Sequence, residues 1–123
     1  MNLDGVDVFL VEDEPLLAMS VEDMLMELGC RVSASAANLT EAIDRAVGGT
    51  FDCALLDVNL AGREVYPVAE ILDKRGIPFA FSSGYGASQM PEAFSTRPVV
   101  SKPYNMDQLL QRCKQLSRDN NQR

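Results

Sequence analysis

The strongest constraint on this chain is the uninterrupted apolar run Cys53-Ala54-Leu55-Leu56, which stops at Asp57 and is followed within five positions by Asn59 and Gly62. A run without polar alternation suits a strand covered on both faces, the usual condition of a parallel sheet. Asp57 then falls at the carboxyl end of that strand. Ligands of open α/β sheets bind at that edge, which makes Asp57 the first candidate for a reactive group.

Other segments repeat the pattern. Val6 to Val11 reads as a buried strand that ends in Glu12-Asp13-Glu14. Pro15 suits the first turn of a helix, and Leu17, Val21, Met24, Leu25 and Leu28 recur at helical spacing up to a stop at about Gly29. Cys30 to Ala34 alternates weakly, as a short peripheral strand would. Asn38-x-x-Glu41 resembles a capping signal and opens a helix closed by Gly48-Gly49. After the Asp57 strand, Glu64 to Lys74 carries Val65, Val68, Ala69 and Leu72 on one face. Pro67 falls in the first turns of this helix, where it shifts the start and leaves the interior intact.

Ile77 to Ser83 is the fourth strand, broken by Gly84-Tyr85-Gly86, and a short helix is expected around Gln89 to Phe94. Pro98 to Ser101 is the fifth strand, followed by Lys102-Pro103. Met106, Leu109, Leu110, Cys113 and Leu116 mark a last helix, and the polar stretch 117–123 is expected to be a flexible tail. Strands alternating with helices predict one α/β domain over 1–123, with a core from about 6 to 116, a doubly wound parallel sheet and right-handed crossovers.

Composition excludes several functions. With 11 basic and 18 acidic residues the net charge is −7, which argues against a nucleic-acid partner, since that needs a basic footprint. No apolar run approaches the ~18 residues of a membrane span. Met1-Asn2-Leu3-Asp4 lacks the basic start of a signal peptide, so the expected location is cytoplasmic. The three cysteines, Cys30, Cys53 and Cys113, fall in apolar stretches and read as buried reduced thiols.

Four strands end in distinctive groups: Glu12-Asp13, Asp57, Ser83-Gly84 and Lys102-Pro103. A parallel sheet brings these ends to one edge. Three carboxylates there repel one another. A divalent cation resolves the repulsion, and hard oxygen ligands favour magnesium or calcium. Asp57 on its short stem can act as a nucleophile and form an aspartyl-phosphate. Lys102 and the cation would balance charge on the transferring phosphoryl group, the Ser83 hydroxyl can donate to it, and Gly84 leaves the backbone unobstructed. Each fragment alone is an ordinary turn, cap or strand end. All of them together at carboxyl ends, with suitable charge, are not.

Val8-Phe9-Leu10-Val11-Glu12-Asp13-Glu14, Leu55-Leu56-Asp57-Val58-Asn59-Leu60, Phe81-Ser82-Ser83-Gly84-Tyr85 and Ser101-Lys102-Pro103-Tyr104 together resemble a response-regulator receiver domain, over Val6 to about Leu116. The resemblance implies a flavodoxin-like five-stranded sheet of order 2-1-3-4-5. It implies that Asp57 accepts a phosphoryl group from a phosphohistidine on a sensor histidine kinase or histidine phosphotransferase, within a two-component phosphorelay. It implies Mg2+, for which Mn2+ or Ca2+ can substitute, held by Asp13, Asp57 and the Asn59 backbone carbonyl, with Glu12 acting through water. Ser83, Lys102 and Gly84 would bind the phosphoryl group.

Glu12 stands where the family more often has aspartate, and Ser83 where it often has threonine. Val99 occupies a position that is aromatic in many receivers, so the switch candidates are Tyr85, Val99 and Tyr104. Phe81-Ser82-Ser83-Gly84-Tyr85 resembles the Phe-Ala-Thr-Gly-Tyr signature of stand-alone receivers linked to stress signalling in alphaproteobacteria. Such a protein is not a turnover enzyme. Its output would be contact with a downstream protein of unknown identity, or service as a phosphate sink. Two rivals are a receiver-like interaction module that works without phosphorylation and a small metal-dependent phosphatase. The second lacks its general acid, because Asn59 stands two residues after Asp57.

Overall fold

The computed structural model describes residues 3–83, 94, 97–101 and 105–121. Five strands, β1 (Asp7–Val11), β2 (Arg31–Ala36), β3 (Cys53–Asp57), β6 (Phe79–Ser83) and β7 (Val99–Ser101), form a parallel sheet of order β2-β1-β3-β6-β7. This is the order expected from the sequence, with a two-stranded hairpin, β4 (Asn59–Leu60) and β5 (Arg63–Glu64), inserted after the central strand. The helices are α1 (Pro15–Glu27), α2 (Leu39–Gly48), α3 (Tyr66–Lys74) and α4 (Met106–Asn121).

Strand periodicity sorts the sheet residues into two cores. Phe9, Val11, Ala54, Leu56, Phe79 and Phe81 face α2 and α3. Val8, Leu10, Cys53, Leu55, Ala80 and Val100 face α1 and α4. Every residue of β3 is buried, which explains its lack of alternation. Each of the fully buried phenylalanines and leucines contributes about 1.5–3 kcal/mol by leaving water.

Helix ends follow local chemistry. The Gly29 N–H donates to the Met26 carbonyl and the Cys30 N–H to the Leu25 carbonyl, while Gly29 has φ +94°. That double closure with a left-handed residue is a Schellman ending, and glycine adopts it without penalty. Gly76, φ +74°, closes α3 in the same way. At α2 the Asn38 Oδ1 accepts from the Glu41 N–H at 2.9 Å. The Glu41 carboxylate reaches back one residue further than the usual box, to the Ala37 N–H at 3.0 Å.

Three expectations need correction. Glu64 belongs to β5 and α3 starts at Tyr66, because the hairpin holds residues 59–64. The edge strand β2 is longer than its weak alternation suggested. The stretch from Ser117 continues α4 to Asn121 instead of forming a tail. No glycine or proline interrupts it, and extending an existing helix is cheap once it is nucleated. The short helix expected at Gln89 to Phe94 lies outside the described residues, apart from Phe94, which is buried.

Both rims of the sheet are covered by an arginine from a neighbouring helix. Arg45 Nε of α2 donates to the Ser35 carbonyl of β2 at 3.0 Å. Arg112 Nε of α4 donates to the Val99 carbonyl of β7 at 3.2 Å.

Candidate phosphoacceptor site

The carboxyl ends of β1 and β3 are adjacent because the two strands pair in register, Val11 beside Leu56. That pairing sets Glu12 and Asp13 next to Asp57. One carboxylate oxygen from each of the three lies within 4.8 Å of the others. Glu12 and Asp57 are buried, at 3% and 5% exposure, while Asp13 is half-buried.

Backbone N–H groups hold these acids in place. The Glu12 N–H extends the ladder to the Ala36 carbonyl at 3.0 Å. Its Oε2 accepts from the Glu14 N–H at 3.2 Å, at the start of α1. The Glu14 side chain makes no cap bond, so the carboxylate serving the helix N-terminus belongs to Glu12. Asp57 Oδ1 accepts from the Asn59 N–H at 3.3 Å.

The hairpin completes the arrangement. Ala61 and Gly62 form its tip with φ +53° and +88°, the signature of a tight type I′ turn. Asn59 Oδ1 accepts from the Gly62 N–H at 2.7 Å, and the Ala61 N–H donates to Asp13 Oδ2 at 3.0 Å. Asp13 and Asp57 are thus both bonded to one small hairpin. Asn59 and Gly62 were visible signals of it. Alanine at the first left-handed position, where asparagine or aspartate is usual, concealed it.

A groove of about 270 Å3 between α1 and α2 is lined by Glu12, Asp13, Glu22, Glu41 and Arg45 among others, so solvent reaches two of the acids. Three carboxylates offer hard oxygen donors at close range, which suits magnesium or calcium better than a soft metal. On the neighbouring strand Ser82 sits beside Asp57 in register. It is buried, and its hydroxyl has no hydrogen-bond partner among the described residues.

The other sequence candidates are placed in part. The backbone of Ser83 ends β6 on the same edge, one residue past the partner of Asp57. Val99 begins β7 and packs, partly buried, against the core shared with α2 and α3. Gly84, Tyr85, Lys102 and Tyr104 lie outside the described residues.

A doubly wound five-stranded sheet with an acidic cluster at its carboxyl edge defines a flavodoxin-like α/β protein built around a carboxylate centre. The chain belongs to the response regulator receiver domain family, whose model matches residues 8–114. It is 30% identical over 122 residues to the transcriptional regulatory protein TcrA of Mycobacterium tuberculosis, a match covering 95% of this chain and 48% of TcrA. The chain therefore spans about half the length of the curated relatives it matches. Among solved structures, SdrG from Sphingomonas melonis Fr1 is similar with 38% identity and a TM-score of 0.80, over 94% of this chain and 98% of SdrG. The receiver domain of sensor histidine kinase PA1611 from Pseudomonas aeruginosa PAO1, described with a magnesium ion coordinated in its active site cleft, shares the fold. Its TM-score is 0.79 at 23% identity, over 92% of this chain and 98% of that one. Among the described residues, no helix is long and apolar enough to cross a membrane.

Proposed function

We propose that this receiver domain accepts a phosphoryl group on Asp57 from a phosphohistidine on a sensor histidine kinase or histidine phosphotransferase. The observation that carries the proposal is the convergence of Glu12, Asp13 and Asp57, with their oxygens within 4.8 Å of one another. A structural aspartate at a strand end has no need of two more acids at its side.

The chemistry follows from the chain's own groups. Asp57 Oδ1 is oriented by the Asn59 N–H, which fixes the side chain as an attacking group. The carboxylate oxygen attacks phosphorus, the P–N bond of the donor breaks, and the imidazole leaves. Asp13 and Asp57, with the Asn59 carbonyl, would hold Mg2+, with Glu12 acting through a water, and Mn2+ or Ca2+ can substitute. When bound, that ion supplies positive charge against the phosphoryl oxygens. Ser83 and Lys102 are assigned to the remaining oxygens, with Gly84 giving clearance, on the strength of the family pattern. The magnesium described for the PA1611 receiver supports the same reading.

The product carries roughly −1.5 to −2 added charge. Tyr85, Val99 and Tyr104 are the candidates for transmitting that change. The output is a protein contact or the draining of phosphate from a partner, and the chain is not a turnover enzyme. The stand-alone Phe-Ala-Thr-Gly-Tyr type is part of the same proposal, and it rests on the resemblance of Phe81-Ser82-Ser83-Gly84-Tyr85 to that signature.

The test is incubation with acetyl phosphate and magnesium followed by intact-mass measurement. A phosphoryl adduct should appear on the wild type and vanish in Asp57→Ala. No adduct, or one that survives the substitution, would overturn the assignment.

A further inference from the structure

Ser82 is a buried polar residue with no part in the acid cluster. It is 1% exposed, and its Oγ has no hydrogen-bond partner among the described residues. A buried hydroxyl in that condition has given up its bonds to water and regained nothing, whereas an alanine at the same place has nothing to give up. Such a group in a packed core calls for an acceptor.

Register shows where the acceptor lies. Side chains alternate between the two faces along a strand. Leu56 and Phe81 pack in the layer under α2 and α3, while Leu55 and Ala80 pack in the layer under α1 and α4. One residue further on, Asp57 and Ser82 return to the α1 and α4 face, and the two are partners in register on neighbouring strands. Adjacent strands run about 4.8 Å apart, which puts a serine hydroxyl within reach of a group carried by its neighbour. The pairing is held at this point by the Val58 N–H, which donates to the Ser82 carbonyl at 3.1 Å. On its other side Ser82 pairs with Val100, which is buried and apolar. Asp57 is therefore the polar side chain beside Ser82 in the sheet. The hydroxyl is not bonded to the Asp57 carboxylate itself.

We propose that Ser82 is a phosphoryl-binding residue, whose Oγ–H donates to an oxygen of the phosphoryl group on Asp57. The inference rests on the reading of Asp57 as the phosphoacceptor. Phosphorylation adds three strong acceptor oxygens and roughly −1.5 to −2 charge at the end of the Asp57 side chain, on the face that Ser82 shares. Serine reaches a new acceptor by rotating about χ1 between staggered positions, so the contact needs no backbone movement. The hydroxyl is unbonded in the resting protein and bonded in the phosphorylated one, so its whole contribution favours the phosphorylated state.

The test uses beryllofluoride, a stand-in for the phosphoryl group on a carboxylate. It is titrated into the full chain at fixed magnesium, and thermal unfolding is followed by circular dichroism. The wild type should rise in Tm, and Asp57→Ala should not respond. Ser82→Ala should need about tenfold more beryllofluoride for the same rise, the loss expected for one hydrogen bond to a charged acceptor. Without beryllofluoride it should melt at or above the wild type, since only an unbonded hydroxyl has been removed. Ser82→Cys keeps the volume and offers only a weak donor, so it should show the same loss of affinity, which separates the donor from the packing. Wild-type affinity in both variants would overturn the proposal while leaving Asp57 as the acceptor. Melting of both variants well below the wild type without beryllofluoride would overturn it too, because the hydroxyl would then have a structural partner. No response of the wild type to beryllofluoride would overturn the Asp57 reading and this one together.

Discussion

Neutralising Asp13 should stabilise the metal-free protein. Its carboxylate lies within 4.8 Å of those of Glu12 and Asp57. Two unit charges at that distance repel by about 3.5 kcal/mol at an effective dielectric constant of 20. Asp13 is half-buried, so solvent screening reduces each repulsion severalfold. Asp13→Asn keeps an oxygen for the Ala61 N–H and removes two repulsions, for a net gain of roughly 1–2 kcal/mol. For a domain of this size that corresponds to a rise in Tm of about 3–10 °C. Magnesium should reverse the ranking, because a ligand at a hundred times its Kd stabilises the native state by about 2.7 kcal/mol, and the variant has lost one of its acids. The assay is thermal unfolding followed by circular dichroism, in EDTA and across a magnesium titration at fixed ionic strength. Should Asp13→Asn melt at or below the wild type in EDTA, or should magnesium shift both proteins equally, the reasoning about a repulsive, cation-binding cluster is wrong.

Three further outcomes are expected. Ala61→Gly should stabilise the fold by about 1 kcal/mol, because alanine at φ +53° bears the left-handed penalty that glycine lacks; urea denaturation measures it. Gly29→Ala should destabilise by about 1–2 kcal/mol in the same assay, since φ is +94° and a Cβ there would stand 2.2 Å from Asp4 Oδ1 and 3.2 Å from the Asp4 backbone. Stability should also fall as pH rises above the ordinary thiol value of 9.0, because the unfolded chain ionises Cys53 while the folded chain holds its proton up to about 12. That group's contribution is complete below 9.0 and declines by up to about 1.4 kcal/mol per pH unit within the window. Cys53→Ala should flatten the decline in denaturation curves measured between those limits.

The sheet was legible because its strands are short apolar runs with sharp ends, and the buried run at Leu55 and Leu56 left little choice about the centre. The helix stops at Gly29 and Gly76 were legible because left-handed closure selects glycine. The hairpin at residues 59–64 was not, because Ala61 sits where propensity disfavours it and tertiary contacts override that cost: its N–H is bonded to Asp13 from a distant part of the chain. The acids themselves were readable as a group, since register alone brings Asp57 beside Glu12 and Asp13. Their division of labour was not, because the bond from the Glu14 N–H to the Glu12 carboxylate depends on the path the chain takes into α1.

The guanidinium groups laid over Ser35 and Val99 have a consequence for self-association. An open sheet exposes acceptors along two sides, and each side is a template for a strand from another molecule. Here Arg45 occupies one side and Arg112 the other, so a second molecule can lengthen the ribbon only by first prising a side chain away. Because the two margins differ, losing both guards would let each molecule add front to back without closure, giving open filaments in place of finite pairs.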